Sequence, residues 1–331
     1  MKGLERILAV ATVVIVLVFF GNQLWQTGQA AQPPEETVAW TEAVTEATEA
    51  TVPTEAPADP REAVCEQAAA KMQAGHIFVY DTVDRKMLYS SAPSTDALYP
   101  ASITKLFSAW VALRILEPDA VVMAGKELGL LQPGSSTAFI AYGSHLTVEQ
   151  LVEAMLLPSG NDAAYVLAAA AGRKIADKDD LSAKKAVVAF VEEMNRMAAE
   201  VGLANSRFAN PDGYHAEKHY SCPGDLATIG ELALEDPIIA KYIGLRQDTV
   251  TFVSGETITW YNTNRLLNPE SAWYCEAAVG MKTGYTQEAG YCLLAAFEKE
   301  EGHILVGIFD GENKLSRYTD AVTLFDTVCN G

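Results

Sequence analysis

Basic residues are scarce. Against 43 Asp and Glu the 331-residue chain sets only 24 Lys and Arg, a formal net charge of −19. Phosphate recognition needs clustered Lys and Arg, so nucleic acid is excluded as a partner. The deficit is uneven: residues 31–60 hold seven acids and no Lys or Arg, so much of the charge belongs to a tail rather than to a binding face. Cysteine is also sparse. Cys65, Cys222, Cys275, Cys292 and Cys329 form no CxxC pair, which removes a zinc knuckle or a thioredoxin motif. An odd number leaves at least one thiol free, and the plain reading of all five is small buried hydrophobes. Of the five histidines, His215 and His219 stand four apart, but no carboxylate–His pattern accompanies them; they read as a surface loop, and no metal or other cofactor is expected. What is abundant is apolar: 49% of residues are hydrophobic, enough for a sizeable core, and global disorder is excluded.

Lys2 and Arg6 precede an uninterrupted apolar run from Ile7 to Phe20. That suits the apolar region of a signal peptide, with Gly28-Gln29-Ala30 as a small-x-small cleavage site. Extended to Trp25, it approaches the length of an uncleaved membrane anchor. Both readings of residues 1–30 stay open, with the balance toward the anchor, and both put the remaining chain outside the cytoplasm. Residues 31–60 are a low-complexity Thr/Glu/Ala stretch with Pro33, Pro34, Pro53, Pro57 and Pro60. Such a segment buries too little apolar surface to offset chain entropy, so it reads as a solvated spacer.

Residues 61–331 have globular composition. The patterns predict a helix over 63–72, strands over 76–80 and 86–90, and helices over 105–116, 148–157, 162–171 and 183–201. A short strand follows over 257–260, then strands over 279–283, 291–297 and 303–309, and a closing helix over 315–328. Two early strands, a helical middle and late strands describe one sheet built from both chain ends with a helical region inserted.

Three short motifs carry chemistry. Ser102-Ile103-Thr104-Lys105 follows Pro100 at a predicted helix start. Residues three apart share a helix face, so Lys105 stands beside Ser102. A serine hydroxyl is a weak nucleophile that needs an adjacent base, and a lysine serves if burial or a second cation lowers its pKa. Ser159-Gly160-Asn161 lies 57 residues further on, in a break between helices. Lys282-Thr283-Gly284 lies 123 residues after Ser159, on a predicted strand. Singly, each has a plain alternative: Asn161 as a helix cap, Thr283-Gly284 as a strand end.

As a set, in order and context, they resemble the S-x-x-K, S-x-N and K-T-G signature of the penicillin-recognising serine enzymes. Tyr99-Pro100-Ala101, Phe208-Ala209-Asn210-Pro211-Asp212-Gly213 and Met281-Lys282-Thr283-Gly284-Tyr285-Thr286 narrow the resemblance to the serine D-alanyl-D-alanine carboxypeptidases, the low-molecular-weight penicillin-binding proteins. It runs from about Gly75 to Phe325.

The resemblance implies an α+β fold of αβα layers: a β-lactamase/transpeptidase-like antiparallel sheet flanked by helices, with an all-helical subdomain inserted at roughly 117–260. It implies Ser102 as nucleophile, Lys105 as base and Ser159 as proton relay. Asn161 would hold Lys105 and the substrate's peptide carbonyl. Lys282 and Thr283 would hold the terminal carboxylate. Gly284 would let the substrate pair along the strand edge. The N–H groups of Ser102 and Tyr285 would form an oxyanion hole. The implied partners are peptidoglycan stem peptides ending in D-Ala-D-Ala, with β-lactams as covalent inhibitors. Many relatives carry a C-terminal sheet domain and anchor helix. This chain ends soon after the catalytic pattern, so membrane attachment is expected at the N-terminal segment, if it is uncleaved. The resembled fold packs its terminal helices side by side, which makes a Cys65–Cys329 bridge possible. The Asn210–Gly213 stretch is expected to be a structural turn, and Arg265 to lie near the cleft without a catalytic role.

Three rival readings stand beside this one. A class A β-lactamase needs a Glu in an E-x-x-L-N loop; the nearest match, Glu192-Glu193-Met194-Asn195, falls within a predicted helix. A D,D-transpeptidase shares all three motifs. A non-catalytic wall or β-lactam sensor would not need both nucleophile and base.

Overall fold

The computed structural model describes residues 59–330. The leader at 1–30 and nearly all of the spacer lie outside them. The helix predicted from Ala63 starts earlier, as α1 (Pro60–Ala69), because Asp59 caps it through the Arg61 N–H and Pro60 takes the first helical position, where its missing N–H costs nothing. Asp59 and Pro60 therefore belong to the globular part and not to the spacer.

Five strands form one antiparallel sheet: β1 (His76–Asp81), β2 (Lys86–Ser90), β7 (Ala278–Thr286), β8 (Gly290–Glu298) and β9 (His303–Gly311), in the order β2-β1-β9-β8-β7. Early and late segments thus meet in the middle, where β1 pairs with β9 from His76↔Phe309 to Asp81↔Ile304. Side chains alternate across the sheet. Ile77, Val79, Leu293, Ala295, Phe297, Ile304 and Val306 face one side. There they pack against Cys65 and Ala69 of α1 and Tyr318, Ala321, Leu324 and Phe325 of α8 (Ser316–Asn330). Phe78, Cys292, Leu294, Ala296, Leu305 and Phe309 face the other side and the main helical core. The result is three layers, with Cys292 pointing inward from β8 as its alternation requires.

The helical layer holds α2 (Thr104–Ala112), α3 (Val148–Leu156), α4 (Asn161–Ala176), α5 (Ala183–Glu200), α6 (Pro223–Glu235) and α7 (Pro237–Gly244). A capping box fixes the start of α3: the Gln150 N–H donates to Thr147 Oγ1 at 3.1 Å, and the Thr147 N–H donates to Gln150 Oε1 at 3.0 Å. The lobe predicted to be all-helical also carries two small antiparallel pairs. These are β3 (Val121–Met123) with β4 (His145–Thr147), and β5 (Gln247–Thr251) with β6 (Thr257–Tyr261).

α1 and α8 share one core cluster, but Cys65 and Cys329 are both free. Cys65 is sealed against the sheet layer while Cys329 is exposed near the end of α8, so the bridge does not form. Among the described residues no helix is long and apolar enough to cross a membrane.

Candidate active site

The chain reaches the nucleophile through a strained turn. Ala101 has φ +47°, the left-handed region that costs a non-glycine residue about 1 kcal/mol or more. Ser102 then lies in a 3-10 turn, Ala101–Ile103, and α2 starts only at Thr104. The sequence places Ser102 at a helix start; that start is a tighter turn leading into the helix. Two glycines make room for this elbow. A Cβ on Gly213, whose φ is +80°, would fall 1.9 Å from the Ala101 carbonyl oxygen. A Cβ on Gly284 would fall 2.9 Å from Ala101 Cβ and 3.0 Å from the Ser102 nitrogen. Gly284 is thus required by the nucleophile's turn, rather than only by a ligand on the strand edge.

Lys105 is fully buried, and its Nζ stands 2.7 Å from Ser102 Oγ and 2.7 Å from the Asp212 carbonyl oxygen, to which it donates. Burial lowers its pKa to about 8, against the opposing pull of the Asp212 and Asp162 carboxylates. The Asp212 carboxyl is itself buried, which pushes its pKa up, and its Oδ2 has no hydrogen-bond partner. The turn predicted at Asn210–Gly213 therefore also supplies the carbonyl that anchors the lysine.

Ser159 sits between α3 and α4 with φ +65°, buried, its carbonyl accepting from Ser136 Oγ at 2.6 Å. Asn161 is the first residue of α4, and Gly160 is the N-cap. The Asn161 side chain is not spent on capping: Nδ2 donates to Ser135 Oγ at 3.0 Å and Oδ1 accepts from Ser136 Oγ at 3.4 Å. Its hydrogen bonds go to this loop and not to Lys105. Asp162 braces the same loop, its carboxylate accepting from the N–H groups of Ala138 (2.8 Å) and Ile140 (3.0 Å).

β7 is an edge strand and delivers the third motif. Lys282 is buried with no carboxylate partner among the described residues; its Nζ donates to the Thr283 carbonyl at 3.2 Å and to Thr263 Oγ1 at 3.4 Å. Burial first, then the neighbouring charges of Lys105 and Arg317, hold its pKa far below that of an ordinary lysine. Thr283 and Thr263 hydroxyls are 2.6 Å apart. Tyr285 is exposed and stacks on Tyr291 at 4.5 Å.

Two cavities flank Ser102 and share it with Gly134, Ser136 and Tyr285. One, about 280 Å³, includes Asn161, Asp212 and Glu288 and no Lys or Arg. The other, about 670 Å³, includes Ser159, Thr283, Arg265, Lys314 and Arg317 and no Asp or Glu. A larger hollow of about 860 Å³ beyond it shares Arg265, Tyr291 and Lys314 but holds none of the three motifs.

Arg317 is the functional candidate that sequence reading missed. It is buried on α8, donates to the Gly284 and Cys292 carbonyls at 3.1 and 2.8 Å, and leaves Nε unpartnered. No local pattern marks it; only the packing of α8 on β8 and β9 brings its guanidinium to the Gly284 and Cys292 carbonyls. Arg265 lines the same cavity, as its cleft-side placement in the sequence predicts. Glu192–Asn195 lies inside α5, where Asn195 Nδ2 donates to the Phe208 carbonyl at 2.8 Å and Oδ1 accepts from the Phe208 N–H at 2.9 Å.

Comparison with known proteins agrees with this geometry. A D-alanyl-D-alanine carboxypeptidase DacF of Bacillus subtilis (strain 168) is 29% identical over 73% of this chain, which spans 58% of that protein's length. A D-alanyl-D-alanine carboxypeptidase of Streptomyces sp. (strain K15) is 31% identical, over 72% of this chain and 81% of its own. The crystal structure of the Streptomyces K15 DD-transpeptidase superposes with a TM-score of 0.69 at 27% identity, covering 78% of this chain and 97% of that one. The D-alanyl-D-alanine carboxypeptidase family model, peptidase family S11, matches residues 63–313, and the chain belongs to that family.

Proposed function

We propose that this chain is a serine D,D-carboxypeptidase that removes the terminal D-Ala from peptidoglycan stem peptides, and that β-lactams acylate the same serine. The observation that carries the reading is the buried Lys105 amine 2.7 Å from Ser102 Oγ, with a second buried lysine, Lys282, in the same site. Neutral Lys105 takes the Ser102 proton as Oγ attacks the penultimate D-Ala carbonyl. The N–H groups of Ser102 and Tyr285 stabilise the oxyanion, at about 3–4 kcal/mol per donor in comparable sites. Ser159 passes a proton to the leaving D-Ala nitrogen, and water then hydrolyses the ester.

The charge split of the cleft supports one orientation. The cationic cavity, with Thr283, Arg317 and the adjacent Lys282, suits the terminal carboxylate; the other takes the upstream peptide, with Asn161 on its carbonyl. Among the residues lining both cavities the carboxylates are Asp212 and Glu288, and neither comes from an E-x-x-L-N loop, so slow rather than rapid release of a β-lactam adduct is expected. We place the catalytic domain from Asp59 onward. An N-terminal leader or anchor and the acidic spacer would hold it at the outer face of the membrane or release it to the wall.

Release of D-alanine from a synthetic acyl-D-Ala-D-Ala peptide, with Ser102→Ala as control, tests the proposal. Ser102-dependent D-Ala release supports it. Consumption only in the presence of an added amine, giving an amide product, would assign transpeptidation instead, the activity in the name of the K15 structure.

A further inference from the structure

His219, predicted to lie in a surface loop, is buried at 2% exposure, and both ring nitrogens are engaged. The Ala209 N–H donates to Nδ1 at 3.2 Å, and Nε2 lies 2.8 Å from Thr104 Oγ1. An accepting Nδ1 fixes the tautomer with its proton on Nε2, so Nε2–H donates to the threonine oxygen. Burial, with neighbouring His215 and Lys105 adding to it, lowers the imidazole pKa to about 3, so the ring is neutral near pH 7.

Thr104 and Ala209 matter for where they sit. Thr104 is the first residue of α2 and directly precedes Lys105. Ala209 belongs to the Phe208–Gly213 segment, whose Asp212 carbonyl accepts from Lys105 and whose Pro211 carbonyl accepts from Ser108 of α2 at 2.7 Å. The imidazole meets the Phe208 ring edge-on at 5.7 Å, and Phe208 stacks on Phe107 of α2 at 5.0 Å. His219 lines neither cavity beside Ser102, so it does not face substrate.

We propose that His219 is a positioning residue for the base: its two hydrogen bonds clamp the Phe208–Gly213 segment onto the start of α2 and so hold the Asp212 carbonyl against the Lys105 amine. The inference rests on the acyl-transfer reading above. Lys105 also faces the Asp212 and Asp162 carboxylates and Lys282; Asp212 rides on the clamped segment, so loss of the clamp should shift the pH dependence as well as the rate.

The test uses the full-length protein and a fluorescent penicillin. Saturation kinetics separate the affinity before acylation from the acylation rate constant, and each is followed from pH 6 to 9.5. His219→Leu removes both hydrogen bonds; His219→Gln keeps one donor and one acceptor; Thr104→Val removes the hydroxyl and leaves the histidine. The expected result is an acylation rate constant about 10- to 100-fold lower in His219→Leu, since misplacement by about an ångström can cost as much. Affinity should stay within about twofold of wild type, the pH midpoint should move, His219→Gln should regain most of the rate, and Thr104→Val should fall in the same direction as His219→Leu. If His219→Leu does not fold, Thr104→Val decides. A folded His219→Leu, or in its place a folded Thr104→Val, with the wild-type rate constant and pH midpoint would reduce His219 to a core residue and overturn the proposal. A wild-type protein that takes no label at all would instead sink the acyl-transfer reading on which the proposal rests.

Discussion

Acylation of Ser102 should depend on pH through Lys105. The lysine must be neutral to take the serine proton, and its pKa is lowered to about 8 by burial. An ordinary lysine, near 10.5, would be neutral in only about 0.03% of molecules at pH 7; at a pKa of about 8 roughly 10% are ready, a gain of some 300-fold. The cost appears in the fold. A shift of 2.5 units is about 3 kcal/mol at about 1.4 kcal/mol per unit. Because the lysine's folded pKa lies below its unfolded one, the unfolded chain binds the proton more readily between about 8 and 10.5. Stability therefore rises with pH across that window, and the penalty is fully present below it. The assay is the second-order rate of labelling by a fluorescent penicillin from pH 6 to 9.5. The rate should fall about tenfold per unit below pH 8 and level off above it. Asp212→Asn removes a buried negative charge that holds the lysine's pKa up, so it should move the midpoint to lower pH. A flat profile, or a rate that still climbs at pH 9.5 without levelling, would refute Lys105 as the base.

Gly213→Ala puts a methyl group 1.9 Å from the Ala101 carbonyl oxygen, at a backbone φ of +80°. Relief requires the nucleophile's turn to move by about an ångström or more, and labelling should slow by roughly 100-fold; an unchanged rate in a folded variant would count against the strained elbow. Lys282 has no carboxylate partner among the described residues and a much lowered pKa, so an incoming carboxylate should recharge it. Titration of Ser102→Ala with an acyl-D-Ala-D-Ala peptide in two buffers of different ionisation enthalpy should report net proton uptake near pH 7, and a binding heat independent of buffer would contradict this.

The sheet was readable because its chemistry is periodic. Strands at His76–Asp81, Lys86–Ser90 and His303–Gly311 follow from apolar runs and turns whose alternation survives into the two faces of the fold. Helices α6 and α7 were not readable, since each begins at a proline, after Cys222 and Asp236, and the proline reads as a breaker before it reads as a first helical residue. The motif residues were legible because a hydroxyl and an amine three residues apart carry their own chemistry. Arg317, Asp212 and His219 were not: each acts through a packing partner distant in sequence, Gly284, Lys105 and Thr104 respectively. His219 in particular looked like a loop residue because no local pattern records that the loop folds back onto α2.

The measurement that bears most directly on the whole account is mass spectrometry of the intact protein and its peptides after incubation with benzylpenicillin. The account predicts a single added penicilloyl group, mapped to Ser102, absent from Ser102→Ala and formed far more slowly in Lys105→Ala. An adduct on another residue, or a folded protein that gains no mass, would contradict it.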